Sequence, residues 1–445
     1  MTERLTVAIA ARTALAALLV LATGACGIFD SSKPPRLAGE RVPVLLTGDR
    51  ATADPRLAEL AVRLPRPIEN LAWPQQGGAA NHAMHHLALA DAPARAWSSD
   101  AGDASSEEEP ILSGPVVVGG RIYVKDADAA VSAWDAAKGT RLWSVDIEPE
   151  NESDGNWGGG VAWDAGRLFV AAGFAQVMAL DPATGAVQWR QNVSAPVRAA
   201  PTAFNGRVYA VTRDNQLFAL DANTGQVLWQ HTGIEETAGL LGSASPAVDG
   251  DIVVVAYSSG ELFALRAENG RQLWSDNLAA IRRVDAVSAL ADIRGRPVID
   301  RGRVYAVSHS GRTVAIDLPT GRRLWEAAIG GENQPWIAGD FLYVLSTDGD
   351  VACITARDGR IRWLTSLGLY EDPEDKEGRI QWSGPVLAGD RLVVTGSHGE
   401  AVALSPYSGE IIGELSISGG VSLAPAVADG ALYFLTDDAD LVVYR

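Results

Sequence analysis

Short apolar runs separated by polar turns recur along most of the chain, and residues 194–229 contain one complete unit. The apolar runs Arg207–Val211 (RVYAV) and Leu217–Leu220 (LFAL) have the length of strands. A turn signal that ends at Gly225 follows the second run, and Trp229 closes the unit. Apolar runs of this length between Gly, Asn and Asp predict strands joined by tight turns. We therefore predict a four-stranded antiparallel meander in each unit.

The ending of this unit, a turn followed by a tryptophan, recurs along the chain. Its other copies are WDAAKGTRLW from Trp134, LDPATGAVQW from Leu180, LRAENGRQLW from Leu265, IDLPTGRRLW from Ile316, ITARDGRIRW from Ile354 and, without the tryptophan, LSPYSGEIIG from Leu404. The glycines of successive copies lie 46, 40, 45, 51, 38 and 50 residues apart. A period near 45 residues with four strands per period is typical of β-propeller blades.

The two ends of the repeat array are complementary. Residues 94–97 (ARAW) resemble an isolated last strand of a blade, whereas the C-terminal copy stops one strand short at Arg445. Pairing the N-terminal strand with the C-terminal blade would close the ring and remove its open sheet edges. We therefore predict an all-β fold, an eight-bladed propeller with seven continuous blades and one composite blade.

The N-terminus has the pattern of an export signal. Arg4 and Arg12 precede an apolar run over residues 13–22 that is too short to span a bilayer. The run ends in small residues before Cys26 and resembles the bacterial lipobox, in which the cysteine becomes lipidated. The alternative is an ordinary signal peptide with an incidental cysteine. We expect a signal peptide over residues 1–25, a lipid-anchored tether over 26–66 and the propeller over 67–445.

Composition narrows the range of partners. The formal net charge of −18 and the pI of about 4.8 argue against binding to nucleic acid or to anionic lipid headgroups. After removal of residues 1–25, Cys353 is the only cysteine besides Cys26, so no structural disulfide is expected. Cys353 lies in an apolar strand, which predicts a buried and unreactive thiol.

Two kinds of segment outside the repeats are candidates for a metal site or another functional site. His82, His85 and His86 cluster as metal ligands do, but no second cluster accompanies them, so packing is the favoured interpretation. Long connectors follow Trp274 and Trp363, and the second has an acidic tip over residues 371–377. Long connectors are where propellers usually carry function.

The repeat ending resembles that of the pyrroloquinoline-quinone (PQQ) dehydrogenases. That resemblance implies a quinone cofactor, calcium and an adjacent pair of cysteines. This chain lacks adjacent cysteines and the length for the insertions of those enzymes. A periplasmic quinoprotein-like oxidoreductase therefore remains an alternative, as does a propeller lipoprotein that binds another envelope partner or a glycan.

The combination of lipobox, tether and eight such blades resembles the BamB family, the propeller lipoproteins of the outer-membrane β-barrel assembly (BAM) machinery. The resemblance implies a scaffold with no catalytic residue, cofactor or metal, lipid-anchored at the periplasmic face of the outer membrane. It also implies docking on the POTRA domains of a BamA-like barrel protein, and contact with unfolded outer-membrane proteins as a further expectation. Two connectors carry the docking residues in that family. The matching or neighbouring positions here are Ala238, Leu240, Leu241, Gly242, Arg282, Arg283, Asp292 and Arg294.

Overall fold

A computed structural model describes residues 51–106, 108–149, 158–236, 240–279 and 292–445. Within these residues, 34 strands form eight four-stranded antiparallel sheets and one two-stranded hairpin. Each four-stranded sheet is one blade, and seven of them use four strands that are consecutive in the chain. The predicted eight-bladed all-β propeller is therefore confirmed.

The strands follow the predicted repeats in order. Strand β1 (Arg95–Asp100) belongs to blade 8. Blade 1 contains β2 (Val116–Val118), β3 (Arg121–Lys125), β4 (Ala130–Asp135) and β5 (Arg141–Asp146). Blade 2 contains β6 (Gly159–Asp164), β7 (Arg167–Ala172), β8 (Gln176–Leu180) and β9 (Val187–Asn192). Blade 3 contains β10 (Thr202–Phe204), β11 (Arg207–Val211), β12 (Gln216–Asp221) and β13 (Val227–Thr232). Blade 4 contains β14 (Ala247–Asp249), β15 (Ile252–Ala256), β16 (Glu261–Arg266) and β17 (Gln272–Asn277).

The second half of the ring has the same layout. Blade 5 contains β18 (Val298–Asp300), β19 (Arg303–Ser308), β20 (Arg312–Asp317) and β21 (Arg323–Ala327). Blade 6 contains β22 (Trp336–Ala338), β23 (Phe341–Leu345), β24 (Asp350–Thr355) and β25 (Ile361–Ser366). The hairpin consists of β26 (Tyr370–Asp372) and β27 (Glu377–Arg379), at the acidic connector. Blade 7 contains β28 (Trp382–Ala388), β29 (Arg391–Gly396), β30 (Glu400–Leu404) and β31 (Ile411–Ser416), and blade 8 adds β32 (Ala426–Ala428), β33 (Ala431–Leu435) and β34 (Asp440–Tyr444).

The burial of each strand follows its place in the blade. In blade 3 the inner strand β11 is buried from Val208 to Val211, whereas the outermost strand β13 alternates between exposed and half-buried positions. Inner strands pack against the neighbouring blades on both faces, and this is why their sequences are continuous apolar runs. Cys353 lies in such a strand and is fully buried, and burial raises the pKa of its thiol.

The tryptophans that close the repeats join neighbouring blades. The Trp189 indole of blade 2 donates a hydrogen bond to the Ala222 carbonyl of blade 3 at 3.1 Å. The ring lies so close to the next turn that a Cβ on Gly225 would come within 2.6 Å of it. The same contact recurs between Trp97 and Gly139, Trp143 and Gly185, Trp229 and Gly270, Trp274 and Gly321, Trp325 and Gly359, and Trp363 and Gly409.

The ring closes through the composite blade. Strand β1 pairs antiparallel with β34, with Trp97 opposite Val443 and Asp100 opposite Asp440. Backbone hydrogen bonds in both directions between Ala94 and Arg445, at 2.7 and 2.9 Å, extend this pairing. The predicted closure by the N-terminal strand is confirmed.

The boundary between blades 7 and 8 lacks the tryptophan contact. Gly413 occupies the position on β31 where other blades have the tryptophan, and a Cβ there would meet nothing within 4 Å. Blade 8 also lacks the turn that a tryptophan would contact, because its strands β34 and β1 are not consecutive in the chain. The Arg391 guanidinium instead donates to the carbonyls of Ala90, at 3.1 Å, and Asp91. Residues 90–91 therefore take the place of the missing turn.

Residues 68–87, here called the ring segment, hydrogen-bond to the first strand of every blade. The contacts run in blade order from blade 8 through blades 1 to 7 and join Asn70 to Val427, Trp73 to Val117, Pro74 to Trp163, Gln75 to Ala203, Ala80 to Val248, Asn81 to Ile299, His85 to Trp336 and Leu87 to Leu387. The ring segment thus ties all eight blades together through their first strands.

The three clustered histidines have separate partners in or next to the ring segment. His82 Nδ1 lies 2.7 Å from the Pro297 carbonyl, and His86 Nδ1 lies 2.8 Å from the Pro65 carbonyl. His85 Nε2 lies 3.3 Å from Asp300 Oδ1. Burial and the charge of Arg296 lower the pKa of His82 to about 3, so this imidazole is neutral at pH 7. Each of the three side chains therefore has its own partner in the fold, and His82 Nε2 is buried without a hydrogen-bond partner among the described residues.

Residues 51–66, the described end of the predicted tether, lie along blade 6. A short 3-10 turn covers Pro55–Leu57, and Leu57 is buried. The Asp54 N–H donates to the Ile361 carbonyl at 2.8 Å, and the Arg362 guanidinium donates to the Leu60 carbonyl at 2.7 Å. The division of the chain at residues 25 and 66 stays a prediction.

Candidate partner-binding site

Two of the predicted docking segments meet at one end of the propeller. Leu240 and Gly242 lie in the connector that enters blade 4, and Asp292 and Arg294 lie in the connector that enters blade 5. The Leu240 N–H donates a hydrogen bond to Asp292 Oδ2 at 2.8 Å. Gly242 has a φ of +98°, and a Cβ at this position would lie 3.1 Å from Arg294 Nε. The two connectors are therefore packed against each other through residues that the resemblance singled out.

The buried side chain of Asp292 stabilises this arrangement of the two connectors. The residue is only 3% exposed. Burial raises the pKa of its carboxyl group above the usual value, although the Leu240 N–H and the Arg294 charge both oppose that shift. A partner would therefore meet the loop that Asp292 orders, not the Asp292 carboxylate itself.

The exposed part of the site comes from the connector into blade 4. Leu240, Leu241 and Gly242 are all half-buried, so each presents part of its surface to solvent. Half-buried leucines next to charged side chains resemble the centre and rim of a transient protein interface.

A charged network joins this surface to blade 6. Glu332 lies in the connector between β21 and β22, and its carboxylate accepts from Arg294 Nη1 at 2.8 Å and contacts His309 Nδ1 at 2.9 Å. The His309 N–H donates to the Asp292 carbonyl at 2.9 Å. Burial favours the neutral form of Glu332, but His309 and Arg294 outweigh it, so the pKa of Glu332 lies below its usual value. Arg294 is thus held by Glu332 rather than free to pair with a partner.

Sequence reasoning did not single out His309 or Glu332. His309 lies at the tip of the β19–β20 hairpin and Glu332 in a short connector, and the two are 23 residues apart. The signal available in the sequence was that His309, one of six histidines in the chain, follows a predicted strand at a hairpin tip.

The connectors also line a cavity of about 460 Å³, here called the central cavity. Connectors into blades 1, 4, 5, 6, 7 and 8 all contribute to its wall, through residues such as Leu112, Leu240, Arg294, Glu332, Leu369 and Leu423. The proposed docking surface is therefore part of the rim of a concave site.

Comparison with known proteins identifies the family. The family described as outer membrane protein assembly factor BamB matches residues 87–155, 127–365 and 372–445. The chain belongs to the BamB family. The BamB of Salmonella typhimurium is 28% identical over 355 residues, which cover 78% of this chain and 87% of that relative. The BamB of Xanthomonas campestris is 28% identical over 336 residues, which cover 74% of this chain and 80% of that relative.

Solved structures show the same fold. The crystal structure of BamB from Moraxella catarrhalis matches with a TM-score of 0.66 at 21% identity, over 80% of this chain and 100% of that one. A europium-containing methanol dehydrogenase matches with a TM-score of 0.65 at 15% identity, over 83% of this chain and 89% of that one. At such identities the likeness is one of fold, so the dehydrogenase match transfers no activity to this BamB-family chain.

Several predicted residues lie outside the described part of the chain. These are the lipidation site Cys26 and the docking residues Ala238, Arg282 and Arg283. Among the described residues, no group of three or more His, Cys, Asp and Glu side chains is arranged to hold a metal ion. Over the same ranges, the structure contains no helix with the length and apolar character needed to cross a bilayer.

Proposed function

We propose that this protein is a non-catalytic scaffold lipoprotein of the BAM complex that docks on the POTRA domains of a BamA-like barrel protein. Through this contact it would assist the folding and insertion of outer-membrane proteins. Membership of the BamB family supports the assembly role, since relatives in that family are named outer membrane protein assembly factors.

The contact between the two connectors is the observation that carries the docking proposal. The Leu240–Asp292 hydrogen bond brings together the two segments that the family resemblance assigns to the partner, although they lie 52 residues apart in sequence. A surface ordered by such a contact before binding loses less conformational entropy when a partner docks. We propose Leu240, Leu241 and Gly242 as the contact surface, Asp292 and Arg294 as its support, and Ala238, Arg282 and Arg283 as its extensions.

The proposal includes membrane attachment through Cys26. After removal of residues 1–25, acyl chains on Cys26 would anchor the protein at the periplasmic face of the outer membrane, with residues 26–66 as the tether. Anchoring through more than one acyl chain is stable without a spanning helix. A Cys26→Ser variant should move from the membrane fraction to the soluble fraction, and its continued sedimentation with membranes would contradict the anchor.

The docking proposal can be tested by co-purification from detergent-solubilised envelopes. A Leu240→Asp, Leu241→Asp double variant should lose a POTRA-bearing barrel protein that the parent chain recovers, because charges would replace the apolar contact. A control is Ile411→Asp, Ile412→Asp on the outer edge of blade 7, where both isoleucines are exposed and the same two charges are introduced. Equal recovery with the connector variant, or loss with the control alone, would contradict the proposed surface.

A further inference from the structure

The floor of the central cavity contains a cation without a carboxylate partner among the described residues. Arg296 lies in the connector into blade 5 and lines both the central cavity and a recess of about 30 Å³ next to the ring segment. Its Nε donates to Gln334 Oε1 at 3.0 Å. The neighbouring Arg294 has Glu332 as its ion-pair partner, but no described Asp or Glu pairs with Arg296.

The two terminal nitrogens of Arg296 are available to a ligand. Neither Nη1 nor Nη2 donates to any residue that the structure describes, and neither is sealed off from solvent. Gln334 Oε1 already accepts from Arg296 Nε, and the Gln334 Nε2 group is fixed by donating to the His82 carbonyl at 3.0 Å. A guanidinium with both Nη groups free presents the donor pair that binds a carboxylate in a bidentate manner.

Arg296 remains charged under physiological conditions. Burial and the nearby Arg294 lower its pKa to about 10, so protonation at pH 7 is essentially complete. Both effects disfavour the charged form, and an anion in the cavity would relieve both of them. The charged residues in the cavity wall are Arg294, Arg296, Arg379 and Glu332, so the wall is net positive although the whole chain has a formal net charge of −18.

The rest of the cavity favours a ligand with an apolar part. Leu240, Leu369, Trp382 and Leu423 all contribute to the wall. A volume of about 460 Å³ lies within the range of small-molecule sites, which combine apolar walls with a few polar groups that fix orientation.

We propose that the central cavity binds a carboxylate attached to an apolar group, with the carboxylate on the Nη groups of Arg296. The apolar group packs against Leu240, Trp382 and Leu423. The carboxylate belongs either to a free organic acid or to a side chain of a polypeptide, since both present the same chemistry to Arg296. The test of this site does not depend on partner docking, because it uses small probes and no partner protein.

Calorimetric titration of the full-length protein in detergent tests the site. The first probe is N-acetyl-L-phenylalanine, and its control is the neutral N-acetyl-L-phenylalaninamide, which has the same apolar group without the charge. We expect the amide to bind at least tenfold more weakly. The second probe is the blocked peptide acetyl-Gly-Phe-Glu-Phe-Gly-amide, whose only carboxylate is a side chain.

Variants locate the binding. Arg296→Gln should lower the affinity for the carboxylate probes at least tenfold. Arg357→Gln, on a separate surface between blades 5 and 6, should leave that affinity unchanged. If Arg296→Gln fails to fold, the comparison of acid and amide on the parent chain still decides the question. Binding of the small acid would support a free organic acid as ligand, and binding of the peptide alone would support a polypeptide. No binding of either probe, equal affinity for acid and amide, or full affinity in a folded Arg296→Gln variant would overturn the proposal.

Discussion

At the scale of single residues, glycine sets how closely neighbouring blades approach. Gly225 and Gly206 have nearly the same backbone, with φ of +74° and +76°. Only Gly225 has the Trp189 ring against it, at 2.6 Å from a notional Cβ, and nothing lies within 4 Å at Gly206. Both alanine variants should lose about 1 kcal/mol from backbone strain, and Gly225→Ala should lose about 1–3 kcal/mol more from overpacking. Urea unfolding followed by circular dichroism measures both, and equal midpoints would contradict the interface role.

Asp292 is predicted to act through its hydrogen bond rather than through its charge. Asp292→Asn keeps an oxygen that accepts from the Leu240 N–H and removes the cost of burying a charge, so stability should be unchanged or raised. Asp292→Leu leaves that N–H without an acceptor and should cost about 1–3 kcal/mol. Thermal unfolding of both variants checks this, and similar losses in both would show that the charge is what matters.

Glu332 should make the connector network sensitive to acid. Its pKa is below the usual value in the folded protein, so its charge stabilises the fold above the unfolded pKa, and this stabilisation is lost as pH falls through the folded pKa. Glu332→Gln should therefore be less stable than the parent chain near pH 6, and the difference should shrink towards pH 3. Urea unfolding at several pH values measures the difference, and a difference that grows on acidification would contradict this assignment.

At the scale of the secondary-structure elements, the closing strand depends on one tryptophan. The Trp97 indole donates to the Ala136 carbonyl at 3.1 Å and packs against Gly139 in blade 1. Trp97→Ala should cost about 3 kcal/mol, near the lower end for a tryptophan because the ring is half-buried. Hydrogen exchange of the β34 amides should accelerate in this variant but not in Ser98→Ala, an exposed position on the same strand. Unchanged exchange in Trp97→Ala would show that β1 does not hold the ring closed.

The repeat made these elements predictable, because one turn with its glycine and tryptophan is sufficient to locate each blade. The composite blade was also predictable, since the last repeat is one strand short and the matching strand precedes the first repeat. The ring segment was not, because its hydrogen bonds depend on eight separate blades and leave no period in residues 68–87. The choice of the connectors with Leu240 and Asp292 came from resemblance to a family. The hydrogen bond between these two residues, and the contacts of His309 and Arg296 with distant connectors, required the structure.

At the scale of the whole molecule, two sets of residues join the blades. The ring segment ties the first strands of all eight blades together. The connectors into blades 4, 5 and 6 form the proposed docking surface and the rim of the central cavity. One continuous segment therefore joins all eight blades that carry these connectors, an arrangement that suits the proposed scaffold role.

The most direct test of the docking claim is the dissociation constant between the full-length protein in detergent and the purified POTRA domains of the barrel protein from the same organism. Biolayer interferometry should show specific binding, weakened at least tenfold by Leu241→Asp and unaffected by Ile412→Asp on blade 7. A correctly folded Leu241→Asp variant with unchanged affinity would contradict the proposed surface. The absence of any binding by the parent chain would contradict docking itself.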